Sequence, residues 1–238
     1  MRLDKYLSKA KFITRNEARK LIKSGNVKVN NQVVKKQNYL LDVDFDIVLF
    51  NDEKLEYSKF HYYMLNKPQG VISATVDKNY KTVRDLIDTP LDLHPVGRLD
   101  KDTEGLLLLM DNGLLSHRLT SPKYNIEKKY YVKLKHKLDK SMVDSFLKGL
   151  EILDGNINLF ITKPAKLEIM TDYEAFVTLT EGKFHQVKRM FEKTNNEVEY
   201  LKRVKFGDIT LDSKLALGEY RQLTKEEIAH LLSLCGLK

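Results

Sequence analysis

The sequence predicts an α+β protein in which a small basic module precedes a larger domain built on a mixed, largely antiparallel sheet. Three observations carry this expectation. From residue 62 onward, short strand-like runs alternate with turn signals. The few helical stretches do not fall as long crossovers between successive strands, which a wholly parallel sheet would need. A polar, acidic stretch, NDEKLEYSKF at 51–60, interrupts the apolar pattern between the two parts. The expected limits are 1–56 for the module and 61–238 for the larger domain.

In the module, Leu3, Tyr6 and Leu7 fall at i, i+3 and i+4, the spacing of a short amphipathic helix. Thr14-Arg15-Asn16-Glu17 has the form of a capping box, with each end able to bond the other's backbone. Ala18, Leu21 and Ile22 continue as an apolar stripe, and Gly25 is the expected stop. Arg15, Arg19 and Lys23 lie four apart and line one flank of that helix. Asn26–Val29, an Asn30-Asn31 turn and Gln32–Val34 predict a hairpin, closed by a strand over 46–50. In the larger part, strands are expected near Tyr62–Leu65, Leu106–Met110, Tyr130–Leu134, Ala175–Leu179 and Glu199–Phe206. Helices are expected near Lys140–Gly149, Lys183–Thr194 and Thr224–Leu234.

Hydrophobic residues make up 42% of the chain and the mean hydropathy is −0.42, values of an ordinary globular protein rather than a disordered one. The longest apolar run, Leu106–Met110, is far short of the roughly 20 residues that span a bilayer. Charges every few residues leave MRLDKYLSKAKF without a secretory apolar core. The lone cysteine, Cys235, excludes an internal disulfide and suits a reducing compartment, so the cytoplasm is expected. The net charge of +8 is unevenly placed: residues 1–36 hold eleven Lys and Arg against Asp4 and Glu17. That segment alone carries +9, so the remainder is close to neutral. Such a field attracts polyphosphate, with a solvated basic face as the plainer alternative.

The densest polar cluster is Gly97-Arg98-Leu99-Asp100-Lys101-Asp102-Thr103-Glu104-Gly105, directly ahead of the apolar run. A turn loaded with acids before a buried strand places those acids at the mouth of a cleft. The guanidinium of Arg98 is expected to favour an ionised Asp100, and an oriented carboxylate can act as nucleophile or base. Two other readings stay open on the residues alone. Asp102 could cap a turn in a purely structural loop. Asp100, Asp102, Glu104, Gly105 and Asp111 also fall at positions 1, 3, 5, 6 and 12 of a calcium loop, although position 12 is usually Glu. No phosphate-binding loop, dinucleotide fingerprint or zinc-spaced Cys and His pair is present, and the six histidines are scattered.

His94-Pro95-Val96-Gly97-Arg98-Leu99-Asp100-x-Asp102-Thr103-x-Gly105-Leu106-Leu107 resembles the catalytic motif of the RsuA-type pseudouridine synthases. Asn66-Lys67-Pro68-x-Gly70-Val71 resembles that family's opening motif, and Lys128-x-Tyr130-x-Val132 its tyrosine motif. Glu181-Gly182-Lys183-Phe184-His185-Gln186-Val187-Lys188-Arg189-Met190-Phe191 resembles its third motif, continued by Leu201 and Gly218-Glu219-Tyr220-Arg221. All stand in the family's order across residues 62–228. The first module resembles the αL RNA-binding fold shared with a small-subunit ribosomal protein. Arg2-Leu3-Asp4, Thr14-Arg15, Ala18 and Gly25-Asn26-Val27-x-Val29-Asn30 carry that likeness. Lys11 and Ile13 depart from it where glycines are usual.

The resemblance implies isomerisation of a uridine in ribosomal RNA to pseudouridine, with no redox cofactor and no metal. Asp100 is the implied catalytic residue, by attack at C1′, abstraction of a ribose proton or addition to the base. Arg98 is implied to hold the flipped conformation, with a structural salt bridge as the plain alternative. Tyr130 would stack on the base, Lys188 would pair with Asp100, and Leu201 would close the apolar side of the pocket. Lys9, Lys11, Arg15, Arg19, Lys20 and Lys23 are the expected RNA contacts. The third motif and Thr162-Lys163-Pro164-Ala165-x-Leu167-Glu168 look more like the branch directed to small-subunit 16S RNA. A sister enzyme acting on 23S RNA and an inactive RNA-binding protein are the alternatives. The expected partner is ribosomal RNA or a small-subunit assembly intermediate, the expected state a monomer, with no membrane association.

Overall fold

The computed structural model of the chain describes residues 1–156 and 158–237; the carboxyl-terminal limit of 238 expected for the larger domain lies outside them. The chain divides into two compact units, Met1–Lys59 and Phe60–Lys238.

In the first unit, helices α1 (Leu3–Ala10) and α2 (Arg15–Lys23) pack on an antiparallel sheet. Its strands are β1 (Val27–Val29), β2 (Gln32–Val33), β3 (Val48–Phe50) and β4 (Glu53–Lys54), in the order β2-β1-β3-β4. The capping box forms: Thr14 accepts from the Glu17 amide, and the Glu17 carboxylate accepts from the Thr14 backbone. Asn30 and Asn31 both adopt left-handed backbone (φ 51° and 65°), the geometry of a two-residue hairpin turn. Leu3, Leu7, Ala18, Ile22 and Val27 are fully buried in one apolar cluster, so the periodicity seen in the sequence is the core of this unit. One buried residue in that helix pair is not apolar. Asp4 accepts hydrogen bonds from Arg2 (3.0 Å), Arg15 (2.6 Å) and Arg19 (3.1 Å). Burial alone would raise its carboxyl, but these three donors outweigh it and hold the group below the usual carboxylate range.

The second unit is ordered β5 (Tyr62–Lys67), β6 (His94–Pro95), β7 (Glu104–Met110), α3 (Gly113–Thr120), β8 (Lys128–Leu134) and α4 (Ser141–Lys148). There follow β9 (Glu151–Leu153), β10 (Leu159–Ile161), β11 (Lys166–Ile169), β12 (Glu174–Leu179), α5 (Gln186–Lys193), β13 (Val198–Phe206), β14 (Ile209–Thr210), β15 (Tyr220–Gln222) and α6 (Lys225–Leu234). Among the described residues, nine of these strands join in one sheet, with β11-β12-β8-β13-β7-β5-β15 as its main path. Every neighbouring pair is antiparallel except β13 with β7, where Lys202 meets Glu104 and Arg203 meets Gly105 in parallel.

Both faces of the central strands are covered, which is why β5 and β7 read as nearly unbroken apolar runs. Tyr63, Leu65, Leu107 and Leu109 join Phe146 of α4 and Met190 and Phe191 of α5 in one cluster. Tyr62, Met64, Leu106 and Leu108 join Leu115 and Leu119 of α3, Leu231 of α6 and Cys235 in the other. The sequence reading misses α3, whose glycine, serine, histidine and threonine are poor helix formers; the Asn112 cap and the burial of two leucines make it. It also misses the β9–β10 hairpin. The expected helix from Lys183 starts three residues later, because His185 has φ 52° and ends the preceding loop in left-handed backbone.

Gly105 is the point of closest strand approach. Its φ is +102°, and a Cβ there would lie 2.2 Å from the Arg203 carbonyl oxygen. Gly105→Ala is expected to destabilise the second unit by roughly 3 kcal/mol, combining backbone strain and overpacking. Thermal unfolding should show Tm lowered by roughly 5–10 °C.

Candidate active site

The turn that leads into β7 is held from below by the end of β5. Lys67 is fully buried, and its Nζ donates to the carbonyl oxygens of Pro68 (3.0 Å), Asp100 (3.0 Å) and Thr103 (2.9 Å). Ser73 adds a reciprocal pair: its hydroxyl donates to Leu99 O (2.8 Å) and accepts from Leu99 N (2.9 Å). The Gly70 amide donates to Lys101 O (2.8 Å) and the Thr103 amide to Asp100 O (3.1 Å). Burial pushes Lys67 down to about 8, against the pull of Asp100, Asp102 and Glu104. The shift means that keeping the ammonium costs about 3 kcal/mol, yet at pH 7 the charged form still dominates. Three charge-assisted hydrogen bonds to backbone carbonyls make that placement tenable.

Above this turn, Asp100, Tyr130 and Leu201 line one small pocket, with Arg98 at its wall. Tyr130 and Leu201 are buried at 8% and 5% exposure, and Arg98 is exposed. The strands explain the meeting: Tyr130 faces Arg203 and Val132 faces Leu201 across β8 and β13, so the tyrosine and leucine share a sheet face. The pocket therefore has an aromatic and aliphatic floor and one carboxylate at its edge. Among the described residues no ion pair joins Arg98 to Asp100; Gly97 (φ +70°) turns the chain ahead of Arg98, whose side chain lies exposed in the pocket wall.

The carboxylate of Asp100 faces His185, with Nε2 3.7 Å from Oδ1. His185 is stacked on Phe184, ring centroids 3.7 Å apart, in the loop before α5. This corrects the expected pairing of Lys188 with Asp100. Lys188 Nζ instead lies 2.6 Å from both carboxylate oxygens of Asp102. The left-handed turn at His185 is the reason: it swings the imidazole over Asp100 and starts the helix so that Lys188 reaches the next acid along. Burial would raise the Asp102 carboxyl, but Lys188 outweighs it and holds the group below the usual range. The acids of this segment diverge, each to its own partner. Glu104 accepts from the Tyr200 hydroxyl (2.6 Å) and Asp111 meets His61 (2.7 Å), so they do not converge as calcium-loop ligands. Among the described residues no three His, Cys, Asp or Glu side chains are grouped so that they could hold a metal ion.

His185 and Lys67 are the site residues that the sequence reading passes over. Both stand inside the family motifs, which is the signal that could have found them. In the first unit the expected RNA contacts separate. Arg15 and Arg19 converge on Asp4, while Arg19 and Lys23 line an open concavity with Arg2 and Lys35. Lys9 and Lys11 lie over the rings of Tyr57 and Phe50, and Lys20 is exposed.

A sheet-floored pocket with one poised carboxylate, behind a turn of this sequence, defines a class of enzyme. Residues 61–193 match the family described as RNA pseudouridylate synthase, and residues 1–47 match the S4 domain. The chain belongs to the RNA pseudouridylate synthase family, in its RsuA-type branch, and carries an S4 domain ahead of the catalytic unit. An uncharacterized RNA pseudouridine synthase of Bacillus subtilis is 44% identical, covering 98% of each chain. Ribosomal small subunit pseudouridine synthase A of Haemophilus influenzae is 43% identical over 98% of this chain and 100% of that one. The Escherichia coli protein of the same name is 39% identical with the same coverage. A crystal structure of a pseudouridylate synthase, 43% identical, superposes with a TM-score of 0.68 over 97% of this chain and 99% of that one.

Lys67→Met should strip the donor from three carbonyls and destabilise the fold by about 2–4 kcal/mol. A pH series gives a second, signed outcome. Because folding lowers the Lys67 value to about 8, the folded state binds fewer protons than the unfolded chain between there and the ordinary lysine range. Wild-type stability relative to Lys67→Met should therefore rise across that window, not fall. Denaturant titrations of both proteins at pH 7, 8, 9 and 10 would measure it.

Proposed function

We propose that the chain converts a uridine of small-subunit ribosomal RNA to pseudouridine, with Asp100 as the reacting carboxylate. The observation that carries the assignment of Asp100 is its place at the edge of the pocket floored by Tyr130 and Leu201. Proteins named for the small ribosomal subunit, aligned along nearly the whole chain, support the choice of RNA.

The isomerisation breaks the N1–C1′ bond, turns the base and rejoins it through C5. No electrons are gained or lost overall, so the reaction asks for an oriented carboxylate and a held base rather than a redox group. A stacked base cannot present C1′, so the uridine is extruded into the pocket. Tyr130 then lies against the uracil face, Leu201 closes the apolar side, and Arg98 at the exposed wall fills or braces the vacated stack. Attack at C1′, ribose proton abstraction and addition to the base all place Asp100 within reach of the same nucleoside. Lys188 acts at one remove, pinning the turn through Asp102. The basic first unit anchors ribosomal RNA or an assembly intermediate, in the cytoplasm and as a monomer.

Asp100→Asn keeps the side chain's volume and should bind RNA, but form no pseudouridine; activity within tenfold of wild type would remove Asp100 from this role. Tritium release from RNA labelled at uridine C5 measures it. Replacing Arg19 and Lys23 together by Gln should lower the slope of log affinity against log salt by roughly 0.7–0.9 for each phosphate no longer neutralised. A salt titration with small-subunit RNA transcript reads that slope directly.

A further inference from the structure

The Asp100 pocket opens into a larger cavity of about 720 Å³ that shares Arg98, Asp100, Tyr130 and His185 with it. Five lysine and arginine side chains line this cavity against the carboxylates of Asp77 and Asp100. Two of the five, Lys128 and Arg203, belong to its floor. Lys128 stands two residues before Tyr130 on β8, and Arg203 is the cross-strand partner of Tyr130 on β13. Both therefore continue the sheet face that carries Tyr130 and Leu201. A bulge between Arg203 and Lys205 brings Phe206 opposite Lys128 on that face.

Arg203 is 3% exposed, and its Nε donates to Leu106 O at 2.7 Å. Its Nη2 is buried with no hydrogen-bond partner among the described residues. Among the described residues Lys128 Nζ donates one hydrogen bond, to the Thr180 carbonyl, at a long 3.5 Å. Burial and the Arg203 charge push Lys128 down to about 8, with Glu181 pulling the other way. Two neighbouring cations, half or fully buried and short of acceptors, are costly unless an anion completes them. Their donors suit a group with one delocalised negative charge and two free oxygens.

We propose that Lys128 and Arg203 form a phosphodiester site that grips the RNA backbone beside the base held in the Asp100 pocket. The proposal rests on reading the chain as an RNA-directed enzyme. It divides the floor into a base end, Tyr130 and Leu201, and a phosphate end, Lys128 and Arg203. Holding a phosphate there would fix the backbone about which the uridine turns.

The test uses the full chain and a small-subunit ribosomal RNA transcript, with Lys128→Gln, Lys128→Arg and Arg203→Gln. Lys128→Gln should weaken binding about tenfold at 0.1 M salt and lower the salt slope by roughly 0.7. In turnover the loss should fall on KM more than on kcat, and Lys128→Arg should recover most of it. Arg203→Gln should act in the same direction; should it unfold, the half-buried Lys128 position carries the test. An unchanged salt slope in Lys128→Gln, or an arginine variant no better than the glutamine one, would overturn the proposal. A wild-type protein that bound the transcript but made no pseudouridine would instead overturn the uridine reading, with the salt slopes still deciding the phosphate site.

Discussion

The second unit is organised around an ammonium group without access to water. Lys67 ends β5, and its three donated bonds reach the carbonyls of the neighbouring Pro68, of Asp100 and of Thr103. A buried carbonyl that loses its donor is costly, so the turn before β7 has its shape only while the lysine is there. From that turn the constraint passes along the backbone. Lys67 pairs with Gly105, Gly105 lies against Arg203, and Arg203 sits opposite Tyr130. The carboxylate, the aromatic floor and the buried guanidinium are thus tied to one register, fixed at Gly105 by a main-chain approach too close to admit a Cβ.

The two units handle charge in opposite ways. In the first, one buried carboxylate collects three arginines, which orders them around Asp4. In the second, acids crowd one short segment and each finds a separate partner: Asp102 takes Lys188, Glu104 takes Tyr200, and Asp111 takes His61. Asp100 is left facing an imidazole across 3.7 Å, beyond hydrogen-bond length. A carboxylate held in place by its backbone rather than by a tight ion pair keeps its oxygens available to the pocket.

How much of this is legible in the chain follows from which forces are local. The capping box at Thr14, the Asn30-Asn31 turn and the apolar stripes of α1 and α2 are written within a few residues, and they appear as expected. The strand cores of β5, β7, β8, β12 and β13 show because their burial leaves an apolar run or an alternation. Helix α3 does not, since only the neighbouring sheet face makes Leu115 and Leu119 worth burying. At the site, the motifs bring together Arg98, Asp100, Tyr130 and Leu201, but not the partner of Lys188. That partner depends on a single left-handed residue, His185, and nothing in the one-dimensional spacing of Glu181 to Phe191 marks the reversal. Lys67 is hidden for a similar reason: a lysine beside Pro68 reads as exposed until the carbonyls of a distant turn are known to surround it.

The parallel pairing of β13 with β7 carries a consequence for biogenesis. It joins residues about a hundred positions apart, so the pocket depends on loop closures among the slowest the chain makes. During synthesis the first unit, with its own apolar cluster, emerges and can fold long before Leu201 and Arg203 leave the ribosome. For that interval the nascent chain holds cations arrayed on a finished surface and a half-built sheet in which β7 has β5 and the short β6 beside it but lacks β13 at its Glu104–Gly105 end. The order of maturation is therefore charge first and catalysis last.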